Sequence, residues 1–244
     1  MKENLRAVVL AAGKGTRLKS ESHDLPKVMR LAAGRPLLAH VLSSLDFIAA
    51  ENTVIVVGYK KDAVISAFPG YSFAEQREQL GTGHAVMAAA EALEGFDGCV
   101  LVCCGDMPLI KRKSLLALVD THFAEKNTCT ILSGTSDEPL DYGRIVRDAV
   151  GAFLRLVEHK DCNEEERKIR ELNSGVYTFQ APALLRALSK LSRNNSQGEY
   201  YLTDVPAILK SEGKKVGICN RHLGLELLGV NTPEQLSRVE ELLK

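Results

Sequence analysis

The sequence predicts an α/β fold with a doubly wound, mainly parallel sheet, and two patterns carry that prediction. Short apolar runs of strand length alternate with segments that have the periodicity of helices, an order typical of parallel sheets with crossover helices. The runs also lack the inside–outside alternation of a strand with one wet face, which indicates burial on both faces. They cover residues 7–10, 53–57, 99–104 and 128–132.

Helical segments lie between and after these runs. One is predicted to begin at Pro36 and to continue to about residue 48, and another is predicted to be capped by Thr82. A third covers about residues 112–123. The last helix has the clearest start, because Thr232-Pro233-Glu234-Gln235 supplies a capping side chain, a proline for the first turn and a glutamine at the third helical position.

Residues 144–158 have a hairpin-like pattern instead. Two short apolar stretches flank the turn sequence Ala149-Val150-Gly151-Ala152. The pattern predicts antiparallel insertions into the otherwise parallel sheet. Because open α/β sheets bind ligands at the carboxyl ends of their strands, we expect the insertions to overhang that edge.

Composition narrows the function classes. The 244 residues include 31 Lys and Arg and 31 Asp and Glu, so the chain has no basic excess of the kind that binds nucleic-acid phosphates. No stretch approaches the roughly 20 apolar residues of a membrane span, and the amino terminus lacks a signal-peptide core. We therefore expect a cytoplasmic protein that binds neither nucleic acid nor membrane. No linker or repeat interrupts residues 1–244, which are predicted to form one domain.

The cysteines do not have the spacing of a metal or disulfide framework. None of the six belongs to a CxxC pair, and Cys103 and Cys104 are adjacent. That arrangement suits neither a zinc site nor a secreted disulfide scaffold. The sequence predicts reduced, buried thiols.

The loop after the first predicted strand carries the strongest functional signal. Residues 10–17 read LAAGKGTR, and such small residues let backbone N–H groups approach a phosphate. The dinucleotide-binding pattern GxGxxG is excluded because Leu18 occupies its third glycine position, and a P-loop is excluded because Val8 occupies its first. A plain glycine turn is the alternative. Three nearby cations favour a triphosphate site over that turn, namely Lys14, Arg17 and Lys27.

Motifs along nearly the whole chain resemble those of one enzyme family. LAAGKGTRL at 10–18, followed by LPKVM at 25–29, is similar to the signature of the sugar-nucleotide pyrophosphorylases, also called sugar-phosphate nucleotidyltransferases. The chain resembles in particular the N-acetylglucosamine-1-phosphate uridyltransferase domain of the bifunctional bacterial enzymes of UDP-N-acetylglucosamine synthesis. The shared motifs occur in the same order: QREQLGTGH (76–84), CGDMPLI (104–110), YGRIV (142–146), VEHKD (157–161), ELNSGVY (171–177), QGEYYLTD (197–204) and GVN (229–231).

The resemblance implies a Rossmann-like nucleotidyltransferase fold and a reaction in which a sugar-phosphate oxygen attacks the α-phosphorus of UTP and pyrophosphate leaves. It implies Mg²⁺ as the cofactor, held by Asp106 and Asn231, and small-molecule substrates as the partners. The catalytic residues would be Arg17, Lys27 and Asp106. The nucleotide-binding residues would be Leu10, Ala11, Ala12, Gly13, Lys14, Gly15, Gln76, Gly81 and Thr82. The sugar-binding residues would be Cys104, Gly105, Gly143, Glu158, Asn173 and Asn231.

The same resemblance suggests how the domain is divided. About residues 1–110 would bind the nucleotide and about residues 111–231 the sugar. The hexapeptide repeats of an acetyltransferase β-helix do not occur in these 244 residues, so acetyl transfer is not expected of them. Without that trimer-forming half, we expect a monomer or a weak homo-oligomer.

Alternatives stay open at this point. The Gln76 amide offers both a donor and an acceptor and can turn over to fit uracil or cytosine, so the base is undetermined. Another sugar 1-phosphate or nucleoside triphosphate fits the same motifs, and so does a nucleotide-sugar sensor without turnover. Three departures from the family pattern affect the site, namely the inserted residues 21–23, the cysteine at position 104 and the serine at position 174, which is a conservative change from threonine.

Overall fold

A central β-sheet organises the computed structural model, which describes residues 4–18, 20, 24–136 and 140–244. The inserted residues 21–23 lie outside the described residues. The strands are β1 (Leu5–Leu10), β2 (Leu31–Ala32), β3 (Arg35–Pro36), β4 (Thr53–Val57), β5 (Ser72–Glu75), β6 (Cys99–Cys104), β7 (Cys129–Thr135), β8 (Arg144–Arg147), β9 (Phe153–Val157), β10 (Leu172–Gln180) and β11 (Val216–His222). The helices are α1 (Leu37–Ser44), α2 (Lys61–Ala67), α3 (Thr82–Ala88), α4 (Ala90–Leu93), α5 (Arg112–Ala124), α6 (Glu164–Arg167), α7 (Ala181–Leu188), α8 (Val205–Ser211) and α9 (Pro233–Leu243).

Among the described residues, the main sheet follows the order β11-β7-β10-β6-β1-β4-β5. Its strands pair in parallel, except that β10 runs antiparallel to both β6 and β7. The short strands β2 and β3 form a separate hairpin. The prediction of an α/β fold with a mainly parallel sheet is confirmed.

The predicted hairpin insertion is present as β8 and β9, which pair antiparallel. Arg144 of β8 lies opposite Leu172, the first residue of β10. Because β10 runs against β6, its first residues lie at the edge where the parallel strands end. The hairpin therefore borders the carboxyl edge of the sheet, as expected.

Helices cover both faces of the sheet. Side chains of α1 and α5 belong to the core on one face, and side chains of α3, α7 and α8 belong to the core on the other. Neighbouring residues of one strand divide between the two layers, since Val9 packs in the first and Val8 in the second. Burial on both faces is confirmed for β4, every residue of which is buried. Each such apolar side chain contributes roughly 1.5 to 3 kcal/mol of transfer free energy.

Two helix boundaries differ from the predictions. Thr82 is the first residue of α3 rather than its cap, and its hydroxyl accepts a hydrogen bond from the N–H of Leu202 at 3.1 Å. The capping position belongs to Gly81, whose φ of +108° suits glycine. The helix that follows Pro36 ends at Ser44, earlier than expected. In contrast, the predicted capping box of Thr232 and Gln235 is present at the start of α9.

Strand β10 is the principal element that the apolar pattern did not predict. Its residues Asn173, Ser174 and Gly175 interrupt the apolar run, and the pairing with β7 shifts register between Asn173 and Val176. Gly175 has a φ of +75° at this bulge. A polar bulge hides a strand from a search for uninterrupted apolar residues. The strands β5 and β11 and the helices α2, α7 and α8 were also not predicted.

The structure tests the expectation that the cysteines are unpaired and buried. All six cysteines lie within the described ranges and none is paired, and five of them are buried. The expectation of burial is wrong for Cys104, which is partly exposed because it ends β6 beside a cavity. In the described part of the chain, no helix combines the length and apolar character needed to cross a membrane.

Candidate active site

The glycine loop after β1 packs directly against Lys27. Gly15 has a φ of +72°, and a Cβ added there would lie 2.6 Å from the Cβ of Lys27. The loop is also held to β4, because the N–H of Ala11 donates to the carbonyl of Val56 at 2.9 Å. Glycine at position 15 therefore allows a backbone conformation and a close approach that a larger residue would prevent.

Lys27 connects two polar side chains from distant parts of the chain. Its Nζ donates to a carboxylate oxygen of Asp106 and to Oδ1 of Asn231, the latter at 2.7 Å. Arg17 donates to the same Asn231 oxygen at 3.3 Å. The Lys27 side chain is only 13% exposed, so it is not a solvated surface lysine. These four side chains form the polar cluster of the site.

The sheet and the last helix position this cluster. Asp106 follows the end of β6, and its carbonyl accepts a hydrogen bond from the N–H of Val230 at 2.9 Å. Oε1 of Gln235 accepts from the N–H of Asn231 at 2.7 Å. The hydroxyl of Tyr142 accepts from the N–H of Gly229 at 3.0 Å. Tyr142 lies two residues before β8, so the hairpin region also holds the segment that carries Asn231.

A cavity of about 240 Å³ lies beside the cluster on the side of the glycine loop. It is lined by seven of the nine predicted nucleotide-binding residues, and its other lining residues include Lys27, Cys104 and Asp106. The predicted residues on this wall are Leu10, Ala11, Ala12, Gly13, Gln76, Gly81 and Thr82. Lys14, Gly15 and Arg17 do not line it, although Gly15 supports Lys27 and Arg17 belongs to the cluster.

The lining of this cavity includes a buried amide. Gln76 is 4% exposed, and its Nε2 donates to the carbonyl of Gly81 at 3.1 Å. The same nitrogen lies 3.2 Å from Nδ1 of His84, on helix α3. The His84 ring stacks on Tyr200, with ring centroids 6.2 Å apart. His84 was not among the predicted site residues, although it ends the motif QREQLGTGH.

A second cavity, of about 180 Å³, lies on the other side of the cluster beside the hairpin. Its lining includes five of the six predicted sugar-binding residues, and Asp106 as well. The five are Cys104, Gly143, Glu158, Asn173 and Asn231. Gly105 lines neither cavity, because a Cβ there would point towards Leu38, at 3.1 Å. Sequence reasoning missed Tyr142 and Gly229, which also line this cavity.

Glu158 is the acidic group of the second cavity. Burial raises the pKa of its carboxyl above the ordinary range, and a hydrogen bond donated by Thr203 Oγ1 at 3.0 Å opposes that rise. Asn173 uses part of its amide internally, since Nδ2 donates to the hydroxyl of Tyr177 at 2.7 Å and Oδ1 accepts from the N–H of Gly175 at 3.1 Å. Although the residue Cys104 is partly exposed, desolvation of its thiol raises the thiol pKa to about 12, so this thiol is neutral at physiological pH.

Two oxygen donors at the cluster fit a hard divalent cation. Asp106 and Asn231 each direct an oxygen at the Lys27 ammonium, so both donors converge on one position that already accommodates positive charge. Among the described residues, no group of three His, Cys, Asp or Glu side chains could hold a metal. A carboxylate and an amide oxygen leave room for water and substrate oxygens, which is the coordination that Mg²⁺ prefers.

Comparison with known proteins identifies the family of this chain. Residues 7–175 match the MobA-like NTP transferase domain. The chain is 46% identical over 239 residues to the Bifunctional protein GlmU of Streptococcus thermophilus (strain CNRZ 1066), and 47% identical over 238 residues to that of Lactococcus lactis subsp. lactis. These matches cover 98% and 97% of this chain and 51% of each relative, so the chain spans about half the length of these relatives. The chain belongs to the MobA-like NTP transferase family.

Proposed function

We propose that this chain transfers a uridylyl group from UTP to N-acetylglucosamine 1-phosphate, forming UDP-N-acetylglucosamine and pyrophosphate. A phosphate oxygen of the sugar 1-phosphate forms a bond to the α-phosphorus of UTP. The bond from that phosphorus to the β-phosphate oxygen breaks, and its electron pair leaves with pyrophosphate. The motifs shared with the uridyltransferase domain and the identity to the GlmU relatives support this substrate pair.

One observation carries the proposal: Cys104 and Asp106 line both cavities. A nucleotide in the first cavity and a sugar phosphate in the second would therefore meet at the end of β6. The cluster of Lys27, Asp106, Asn231 and Arg17 lies at that junction. A transferase with two anionic substrates needs its charged groups where the two phosphates approach each other.

Positive charge is the main contribution that the chain makes to this reaction. Lys27 and Arg17 would neutralise the triphosphate and stabilise the charge that develops in the transition state, and Lys14 would contact the leaving pyrophosphate. Gly13 and Gly15 would bring backbone N–H groups close to the phosphates. Because the sugar phosphate is itself the nucleophile, no side chain has to form a covalent intermediate.

Asp106 and Asn231 are the residues that would hold Mg²⁺. When bound, the ion would neutralise phosphate charge and orient the reacting oxygens. Lys27 now contacts both of these oxygens and would turn its ammonium to the phosphates when substrates bind. Within this proposal, about residues 1–110 bind the nucleotide and about residues 111–231 bind the sugar. The expected cytoplasmic location and the expected state, a monomer or a weak homo-oligomer, stay predictions.

The substrates are tested by measuring pyrophosphate release from UTP, in the presence of Mg²⁺, with each member of a panel of sugar 1-phosphates. We expect release to be fastest with N-acetylglucosamine 1-phosphate. Absence of release with every amino sugar would refute the acceptor, and faster release with another nucleoside triphosphate would refute UTP. Binding of UDP-N-acetylglucosamine without any release across the panel would support a sensor instead of an enzyme.

Substitution of Asp106 tests the chemistry separately from substrate choice. In Asp106→Ala, kcat should fall at least about 100-fold while the thermal unfolding temperature is maintained, because one well-placed electrostatic group is lost. Asp46→Ala is the matched control, since Asp46 is exposed and pairs with Arg112 at the surface. Turnover of Asp106→Ala at the level of this control would place the metal site elsewhere.

A further inference from the structure

The hydrogen bonds of the Gln76 side-chain nitrogen determine the orientation of its amide. A primary amide has two N–H groups, and the hydrogen bonds from Nε2 to the Gly81 carbonyl and to His84 Nδ1 use both of them. The 4% exposure of Gln76 leaves little access for competing solvent. Because Gln76 also lines the nucleotide cavity, the amide oxygen is the atom that it offers to a ligand.

The hydrogen bond between Gln76 and His84 also defines the state of the histidine. An amide nitrogen only donates, so Nδ1 of His84 must be the acceptor, and the ring hydrogen is carried by Nε2. The ring is held in place by stacking on Tyr200, with 25° between the ring planes, and by its position on α3. With the ring hydrogen on Nε2, His84 presents an acceptor to the back of Gln76.

Turning the amide over would be unfavourable. It would place Oε1 against the Gly81 carbonyl, which can only accept, so that hydrogen bond would be lost, and the contact with His84 would survive only if the ring hydrogen moved to Nδ1. Buried polar atoms that lose their partners are destabilising, so the two orientations are not equivalent in this protein. The ambiguity of a glutamine as a base reader is removed by these contacts.

We propose that His84 is a positioning residue for base selection: it holds the Gln76 amide so that Oε1 accepts a hydrogen bond from N3–H of uracil. Cytosine has a lone pair at N3 and would meet Oε1 with a second acceptor. His84 thereby favours UTP over CTP without touching either base. The inference rests on the proposed function for the identity of the nucleotide but is independent of the sugar.

Base preference in His84 variants tests this inference. The ratio of kcat/KM for UTP to that for CTP is measured in the wild type and in His84→Phe, which retains a ring to stack on Tyr200 but has no acceptor. We expect the ratio to fall about fivefold or more, the effect of one hydrogen bond. Met87→Ala is the matched control, because Met87 lies on the same helix and lines a groove together with His84. Its ratio should equal that of the wild type.

Binding provides a readout that does not depend on turnover. Calorimetric affinities for UDP and CDP should show the same loss of preference in His84→Phe, and in His84→Leu, which also lacks an acceptor, if the phenylalanine variant does not fold. In a Gln76→Glu background, adding His84→Phe should leave the ratio unchanged, because a carboxylate has the same atoms in both orientations. A purely structural role of His84 would not depend on the residue at position 76.

The outcomes separate this inference from the proposed function. If no sugar 1-phosphate yields pyrophosphate but the UDP preference falls in His84→Phe, the proposed function fails and the inference stands. If turnover proceeds with UTP and the ratio in both His84 variants stays within about twofold of the wild type, a change too small for a lost hydrogen bond, the inference fails. A wild type that binds UDP and CDP equally also overturns it.

Discussion

Gln235 accepts a hydrogen bond from the backbone N–H of Asn231, with 2.7 Å between Oε1 and the nitrogen. The same oxygen accepts from the N–H of Thr232 at 3.1 Å, and the N–H of Gln235 donates to Thr232 Oγ1 at 3.3 Å. The capping box of α9 therefore fixes the residue whose amide oxygen faces Lys27. The start of the last helix and the polar cluster form one hydrogen-bonded unit.

Replacing Gln235 should impair catalysis through Asn231. In Gln235→Met, turnover should fall about tenfold or more and the Mg²⁺ concentration for half-maximal rate should rise, because the Asn231 backbone loses its anchor. Gln235→Glu keeps the acceptor oxygen and should retain most of the activity. Thr232→Ala is the control, because it removes the threonine cap but leaves the bond to Asn231; it should lose about 1 kcal/mol of stability and little activity. Equal loss of activity in Gln235→Met and Thr232→Ala would contradict the positioning role.

Gly15→Ala should displace Lys27 and lower both stability and kcat. The new Cβ would meet the Lys27 Cβ at 2.6 Å, in addition to the strain of a φ of +72°. Gly34→Ala separates these two effects, since Gly34 has a φ of +75° but no atom within 4 Å of the added Cβ. The control should lose about 1 kcal/mol of unfolding free energy and keep its kcat. Similar kcat values in the two variants would show that the contact with Lys27 has no catalytic importance.

The KM for the sugar 1-phosphate should depend on the protonation of Glu158. Burial raises the pKa of this carboxyl, so the carboxylate becomes protonated at a higher pH than an exposed glutamate does. Protonation removes an acceptor for sugar hydroxyls, and KM should rise as the pH falls towards that raised pKa. In Glu158→Gln the KM should be higher at neutral pH and should lose this part of its pH dependence. A pH profile identical to that of the wild type would exclude Glu158 from sugar binding.

Acid should destabilise the fold partly through His122. This residue is 2% exposed, and burial lowers its pKa from 6.5 to about 4. The unfolded chain therefore binds more protons than the folded chain between these pH values, and stability falls as the pH drops through that window. Over this whole window, the His122 contribution lowers the free energy of unfolding by roughly 3 kcal/mol.

Urea unfolding at several pH values measures this contribution. In His122→Gln the unfolding free energy should depend less on pH between about 6.5 and 4 than it does in the wild type, because no histidine at this position titrates on unfolding. His222→Gln removes an exposed histidine and should retain the wild-type dependence. A His122→Gln curve parallel to that of the wild type would contradict the lowered pKa.

Residues with a local physical signal were predicted well. The strands Thr53–Val57 and Cys99–Cys104 agree with their predicted ranges, because uninterrupted apolar runs are typical of strands buried on both faces. The capping box at Thr232 and Gln235 is equally local, since its partners are three residues apart. Thr82 was assigned wrongly because its hydroxyl bonds to Leu202, a partner that lies far along the chain.

The sequence by itself determined which chemical groups are available to this protein: a glycine loop, the cations Lys14, Arg17 and Lys27, and the oxygen donors of Asp106 and Asn231. Only the tertiary structure decided how they act together. Asp106 and Asn231 lie 79 and 204 residues from Lys27 in the chain, and the sheet and helix α9 bring all three into contact. The orientation of the Gln76 amide likewise depends on Gly81 and His84, because a hydrogen bond is defined by both partners and local sequence specifies only one of them.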